Sequence, residues 1–255
     1  IPTKALLKSA NVFDYIKNAE EYGIQVSAPK ADFSGMVSRS RGVADGMSKG
    51  VPFLLKKNKV DVIMGTGKVL AGKRIEVTTN EGGTQVLETS NIIIATGARS
   101  RQLPNLPQDG NKIIGYREAL TLKTKPKKMV VVGSGAIGVE FAYFYNSIGT
   151  DVTIVEYMDG IVPVEDKEIG KQLEKSLKKQ GITIKTSAEV TSVDTSGSGC
   201  KVSVKTKKGE ETIECDIVLS AVGVIANIEN IGLEDVGIAT DKGKILVDDF
   251  YMTNI

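Results

Sequence analysis

Apolar positions at the start of the chain recur at helical spacing. Ala5, Leu6 and Ala10, with Pro2 in the first turn, predict a helix from near Ile1 to about residue 22, closed by Gly23. GIQVSAP reads as a short strand stopped by Pro29. Met36, Val43, Met47, Val51, Leu54 and Leu55 then predict a long helix from about Phe33 to Asn58, with Pro52 awkward inside it. After that the period falls to two. VDVIMGTGKVL, KRIEVTT and TQVLETSNIIIATG alternate apolar and polar residues between Gly-rich turns, and NEGGT (residues 80–84) is a hairpin signal. These predict a small antiparallel meander feeding one buried strand, NIIIATG. RSRQLPNLPQDGNK (residues 99–112) reads as a linker and domain boundary, followed by a short helix over Arg117–Leu122.

The next stretch is a βαβ unit. KMVVVG is an apolar strand, AIGVEFAYFYNSIG a helix, and DVTIVE a second strand. EDKEIGKQLEKSLKKQG is amphipathic, with Ile169, Leu173 and Leu177 on one face. ITIKTSAEVTSVD, CKVSVKT and ETIECDIVLSAVG return to strand character, and ILVDDFYMTNI looks like the start of another strand-to-loop passage. Alternating strands and helices of this kind indicate an α/β fold.

Composition narrows the function. The 255 residues suffice for one large domain or two ordinary ones, and 41% are apolar, enough for a sizeable core. Net charge is +2, with the charges spread without blocks, which argues against nucleic-acid and membrane-surface partners. The longest apolar run, IVLSAVGVIANI, is too short to span a bilayer. There is no His, so no Ser-His or Cys-His nucleophile lies in the chain, and the commonest metal ligand is missing. Cys200 and Cys215 have no metal-ligand or CxxC spacing, and no metal site is expected. Two Cys in this pattern suit a reducing, cytoplasmic compartment.

The sharpest motif is VVVGSGAIGVE. Gly133, Gly135 and Gly138 form GxGxxG between a predicted strand and a predicted helix. Gly133 permits the tight turn, Gly135 lets backbone approach a pyrophosphate, and Gly138 lets the helix pack on the strand. The helix N-terminus offers free N–H groups and about half a positive charge. Glu156 ends the next strand, 23 residues after Gly133. An acid there accepts the adenosine ribose hydroxyls and repels a 2′-phosphate, and no Arg or Lys follows until Lys167. NAD is therefore expected rather than NADP. NIIIATGAR and IVLSAVGV each end a strand at a Gly, which suggests two related nucleotide-binding domains.

In order, IPTKALL, MGTGKV, IIIATGA, VVVGSGAIGVE, VTIVE and AVGV…NIGLEDVGI resemble the flavoprotein pyridine nucleotide-disulfide oxidoreductases, nearest their dihydrolipoyl dehydrogenase branch. The resemblance covers nearly the whole chain. It implies a Rossmann-like FAD/NAD(P)-binding fold, with a parallel central sheet and an antiparallel β-meander in each nucleotide domain. It also implies a partial FAD-binding domain over 1–115, an NAD-binding domain over 116–243, and a return segment over 244–255. In the family a CxxxxC redox disulfide precedes IPTKALL, and an interface domain with a catalytic His–Glu pair follows. The chain is thus expected to be a middle section, with no catalytic residue of its own.

Carried over residue by residue, Gly133, Ser134, Gly135, Ala136, Ile137, Gly138, Glu140, Glu156, Val190 and Gly223 match the family's NAD side. Lys4, Gly67, Thr96, Gly97 and Ala98 match its FAD contacts, and Lys4 is expected in a partly buried ion pair with Glu140. Val224, Ile225, Ala226 and Asn227 stand where the family usually has Arg and then Pro-Asn. The resemblance implies a parent that oxidises dihydrolipoamide on a partner protein and reduces NAD+ through a disulfide and FAD. That parent would be a homodimer, whereas the isolated chain would be monomeric, hold NAD(H), retain FAD poorly and turn over no dihydrolipoamide. A section of a soluble transhydrogenase or mercuric reductase, or a non-catalytic NAD(H)-binding module, would fit the same residues.

Overall fold

The computed structural model describes residues 1–255. In chain order the elements are helices α1 (Pro2–Lys17) and α2 (Phe33–Lys57), then strands β1 (Gly65–Leu70), β2 (Arg74–Thr79), β3 (Thr84–Glu88), β4 (Ala98–Ser100) and β5 (Ile113–Ile114). Helix α3 (Tyr116–Ala119), strand β6 (Lys128–Val132), helix α4 (Ala136–Ser147), strand β7 (Asp151–Val155) and helix α5 (Lys167–Lys179) follow. The remainder is strand: β8 (Thr183–Lys185), β9 (Glu189–Asp194), β10 (Cys200–Thr206), β11 (Gly209–Cys215), β12 (Ile217–Ser220), β13 (Val224–Ala226), β14 (Thr240–Asp241) and β15 (Lys244–Ile245). The chain forms two compact units, Ile1–Lys49 with Ser100–Gly223, and Gly50–Arg99 with Val224–Ile255.

The first unit is built on a five-stranded sheet in the order β5-β12-β6-β7-β8. Its neighbouring strands pair in parallel. Side chains alternate between its faces, and both faces are covered. Ile114, Met129, Val131 and Leu219 join one apolar cluster, while Ile113, Val130, Val132 and Val218 join the other. That explains why KMVVV is apolar at nearly every position: a parallel strand buried on both sides shows no polar face.

Helices cover the first face. Phe141, Phe144 and Tyr145 of α4 are almost fully buried, with Leu6 and Ala10 of α1 in the same cluster. Phe33 at the start of α2 brings its ring within 6.1 Å of Tyr145. The Tyr145 hydroxyl donates to the carbonyl of Ala119 at 2.6 Å, so the buried phenol is satisfied. Burial raises its pKa well above the ordinary value. The second face is covered by the antiparallel sheet β11-β10-β9, through Val190, Val202, Val204, Cys200 and Cys215. Helix α5 starts at Asp166, whose carboxylate accepts from the N–H groups of Glu168 and Ile169. Such a cap is worth about 1 kcal/mol. Its apolar stripe is narrower than the spacing suggests: Leu177 is buried, but Ile169 stays 63% exposed.

The second unit holds the meander β1-β2-β3 and two short ladders, β13-β4 and β14-β15. The residue 80–84 turn joins β2 to β3 as the hairpin signal requires. Arg99 makes a bidentate ion pair with Glu229, which holds that carboxylate down at about 2. Both partners are exposed, so the pair locates a corner more than it stabilises the fold.

Three segments differ from the sequence reading. GIQVSAP is irregular and largely exposed, because no strand lies beside it. VDVIM is irregular, and β1 begins only at Gly65. The expected buried strand NIIIATG forms no ladder before Ala98, and Ile93 is 92% exposed. An apolar strand of this type needs neighbours on both edges, and this chain places none there. At the tail, β15 ends at Ile245 and the chain after it is irregular, with Phe250 and Tyr251 exposed.

Replacing Tyr145 by Phe is expected to lower unfolding free energy by about 1–3 kcal/mol, because the buried Ala119 carbonyl loses its donor. Urea denaturation of the two proteins measures this. An unchanged midpoint would show that the bond contributes nothing.

Candidate functional site

The loop between β6 and α4 lies where the parallel strands end. Each glycine of the motif has its own reason there. Gly133 has φ +95°, and a Cβ on it would sit 2.5 Å from the Ala221 carbonyl oxygen, just past β12. Gly138 sits against the turn: a Cβ there would meet the Gly133 carbonyl oxygen at 2.2 Å. Those two positions need glycine for the fold itself. Gly135 does not. Its φ is −65°, and a Cβ would meet nothing within 4 Å. Glycine at that position leaves open space beside the backbone at the N-cap of α4.

The first turn of α4 has no side-chain cap and no acidic residue. Its leading N–H groups therefore have no partner from a cap, at the positive end of the helix dipole. Ala136 is exposed and Ile137 half-buried. These are the features that receive a phosphate group.

Glu156 faces this loop. It is 7% exposed, yet its carboxylate has three protein donors. Oε2 accepts from the Ser134 N–H at 2.8 Å and from the Ser134 hydroxyl at 2.6 Å. Oε1 accepts from the Met158 N–H at 2.8 Å. The spacing of Glu156 from the glycines thus reflects a direct contact. The Ser134 hydroxyl and the Met158 N–H were not legible as partners, although a Ser inside GxG is the signal for the first.

The remaining NAD-side positions divide. Gly223 is exposed, with φ +103°, three residues beyond the end of β12. The strand ends meet where the Ala221 N–H donates to the Val132 carbonyl at 2.8 Å. Val190 is a buried member of the second apolar cluster, and its carbonyl accepts from Asn105 Nδ2 at 2.7 Å. Its side chain is core, and its carbonyl already has a donor. Glu140 lies on α4 and pairs with Lys4 of α1. The pair forms, but Lys4 is 72% exposed, more open than the expected partly buried pair, and the Glu140 side chain is 30% exposed.

On the flavin side, Thr96, Gly97 and Ala98 form one corner of the second unit. The Asn227 N–H donates to the Gly97 carbonyl at 2.9 Å, and Asn227 Nδ2 donates to the Thr96 carbonyl at 3.2 Å. Its Oδ1 accepts from Arg99 Nη1 at 2.9 Å. Asn227 therefore fastens this corner. Gly67 lies in β1 opposite Val77, and a Cβ there would make an ordinary 3.6 Å contact with Ile75.

The two cysteines are cross-strand partners on the two arms of one hairpin: Cys200 pairs with Cys215 in β10-β11. Both are free and buried. Burial pushes the Cys215 thiol up to about 12 and raises Cys200 as well. A thiol that stays protonated is a poor nucleophile.

Comparison with known proteins agrees with this architecture. The profile described as pyridine nucleotide-disulphide oxidoreductase matches residues 1–255. A dihydrolipoyl dehydrogenase of Zymomonas mobilis is 44% identical over 256 residues, covering 100% of this chain and 55% of its own length. A leghemoglobin reductase of Vigna unguiculata is 38% identical over 259 residues, with 50% of its length covered. The crystal structure of LpdA from Mycobacterium tuberculosis superposes with a TM-score of 0.87 at 30% identity, over 98% of this chain and 54% of that one. The chain spans about half the length of the curated relatives it matches. No helix is long and apolar enough to cross a membrane.

With both thiols raised above the ordinary range, neither Cys200 nor Cys215 is expected to react with a disulfide reagent at pH 8 in the native protein, while both react in denaturant. A thiol titration in each condition measures this; rapid native reaction would place a thiolate where the packing allows none. The parallel sheet, the glycine turn at its strand ends and the profile match over the full chain together show that the chain belongs to the pyridine nucleotide-disulphide oxidoreductase family.

Proposed function

We propose that the first unit binds the adenine-dinucleotide part of NAD(H). The observation that carries this reading is the uncapped N-terminus of α4, open beside Gly135 and joined to Glu156 through Ser134. The fold explains Gly133 and Gly138; Gly135 has no such need, and at the uncapped N-terminus of α4 its missing side chain leaves room for a pyrophosphate to approach the backbone. The pyrophosphate would lie against Gly135, Ala136 and Ile137, held by the free N–H groups of α4. Glu156 would accept from the adenosine ribose and disfavour a 2′-phosphate. Gly223 would border the same strand ends, and Val190 would support them from beneath.

The rest of the reading draws on the family. Lys4, Gly67, Thr96, Gly97 and Ala98 are assigned to the flavin side, with Glu140 holding Lys4. The glycines there are less informative, since φ +74° at Gly97 already requires glycine without any ligand. On this reading residues 1–115 contribute to an FAD domain, 116–243 to the NAD domain and 244–255 to a return segment. The longer protein would oxidise dihydrolipoamide carried on a partner protein and pass the electrons through a disulfide and FAD to NAD+, in a reducing compartment. The hydride chemistry belongs to the bound cofactors; the residues present here bind and orient them. Residues 1–255 contain no CxxxxC pair, and Cys200 and Cys215 are packed as core, so this chain is assigned no dithiol turnover of its own.

NADH fluorescence titration tests the site directly. Replacing Gly135 by Ala is expected to weaken NADH by about ten-fold or more, about 1.4 kcal/mol, while the melting temperature holds. NADPH is expected to bind the unchanged protein more weakly than NADH. Equal NADH affinity for the alanine variant would contradict the close approach at Gly135.

A further inference from the structure

The Ser134 hydroxyl stands on the acid that is assigned to the ribose. A carboxylate offers about four acceptor positions. Three on Glu156 are filled by the protein, and both donors to Oε2 come from Ser134. The N–H donor is fixed by the loop, because Ser134 is fully buried and its carbonyl accepts from the Val162 N–H at 3.0 Å. The O–H donor is different, since a hydroxyl can turn about its own bond. A ribose diol brings two further donors to a carboxylate with one position left.

We propose that the Ser134 hydroxyl competes with a ribose hydroxyl for Glu156, and so holds the affinity of this site for a dinucleotide below what the acid alone would give. The inference rests on the NAD(H) reading above and adds a residue that sets its strength. One ribose hydroxyl can use the open position on Oε1. The second must displace the Ser134 hydroxyl from Oε2, so part of its hydrogen bond is spent replacing one already made. Without a dinucleotide, the same hydroxyl keeps the buried carboxylate satisfied. Ser134 is thus a specificity and affinity residue for the diol rather than a phosphate contact.

The test compares the unchanged protein with Ser134→Ala and Ser134→Cys, the latter close in volume but a much weaker donor. NADH affinity is read by fluorescence. ADP-ribose and its adenosine 2′-deoxy analogue are read by displacement of NADH. Both variants are expected to bind NADH and ADP-ribose about ten-fold more tightly or more, as the return of one hydrogen bond to a carboxylate implies. The gain should shrink to less than about two-fold with the deoxy analogue, which brings only one hydroxyl to the acid. Equal or weaker binding by the variants would overturn the proposal, and so would a gain that persists with the deoxy analogue. If both variants fail to fold, as judged by melting, the hydroxyl is structural and the proposal is wrong. If the unchanged protein binds no NADH, the underlying NAD(H) reading fails, an outcome distinct from any of these.

Discussion

Everything at the candidate site depends on how closely α4 can approach the end of β6. The carbonyl of Gly133 occupies the place where a Cβ of residue 138 would be, at 2.2 Å. Any side chain there would push the helix off the strand. With glycine at both positions the turn closes, the first N–H groups of α4 point out of the sheet edge, and the loop settles beside Glu156. The packing beneath is equally demanding. Phe141, Phe144 and Tyr145 bind α4 to one face of the sheet, and alternate residues of β6 serve opposite apolar clusters. A helix held so firmly presents its N-terminal N–H groups preorganised, which would cost little to organise for the proposed ligand.

The glycines also separate structural need from chemical need. Gly133 and Gly138 would be glycine in any protein with this turn. Gly135 has room for a methyl group and an ordinary backbone, so the fold does not demand glycine there. A motif alone does not show which glycines the fold demands; the space around each residue does. The same comparison leaves the flavin-side glycines less informative, because Gly97 is required by its own backbone.

Legibility in the sequence followed the range of the interactions. The βαβ unit was readable because strand period, glycine turn and acid lie within one short stretch, and local rules govern them. Helix α2 was readable for the same reason, Pro52 notwithstanding. NIIIATG misled because its apolar run promises strand neighbours, and pairing is a long-range property that one segment cannot reveal. Ile169 misled because helical spacing indicates a face without saying how much of it will be covered. The pairing of Cys200 with Cys215 depends on the register of a hairpin, and so does the contact between their environments. The Ser134–Glu156 contact joins residues 22 apart through a fold that must form first. For Val190 the position was named, but not its condition, a core side chain whose carbonyl is already engaged.

The central claim is that the free N–H groups of α4 and the Glu156 carboxylate serve one dinucleotide. A crystal structure of the protein with ADP-ribose tests it most directly. The account predicts the pyrophosphate against Gly135, Ala136 and Ile137, with the adenosine ribose on Glu156. A nucleotide bound elsewhere, or a pyrophosphate away from the α4 N-terminus, would contradict it.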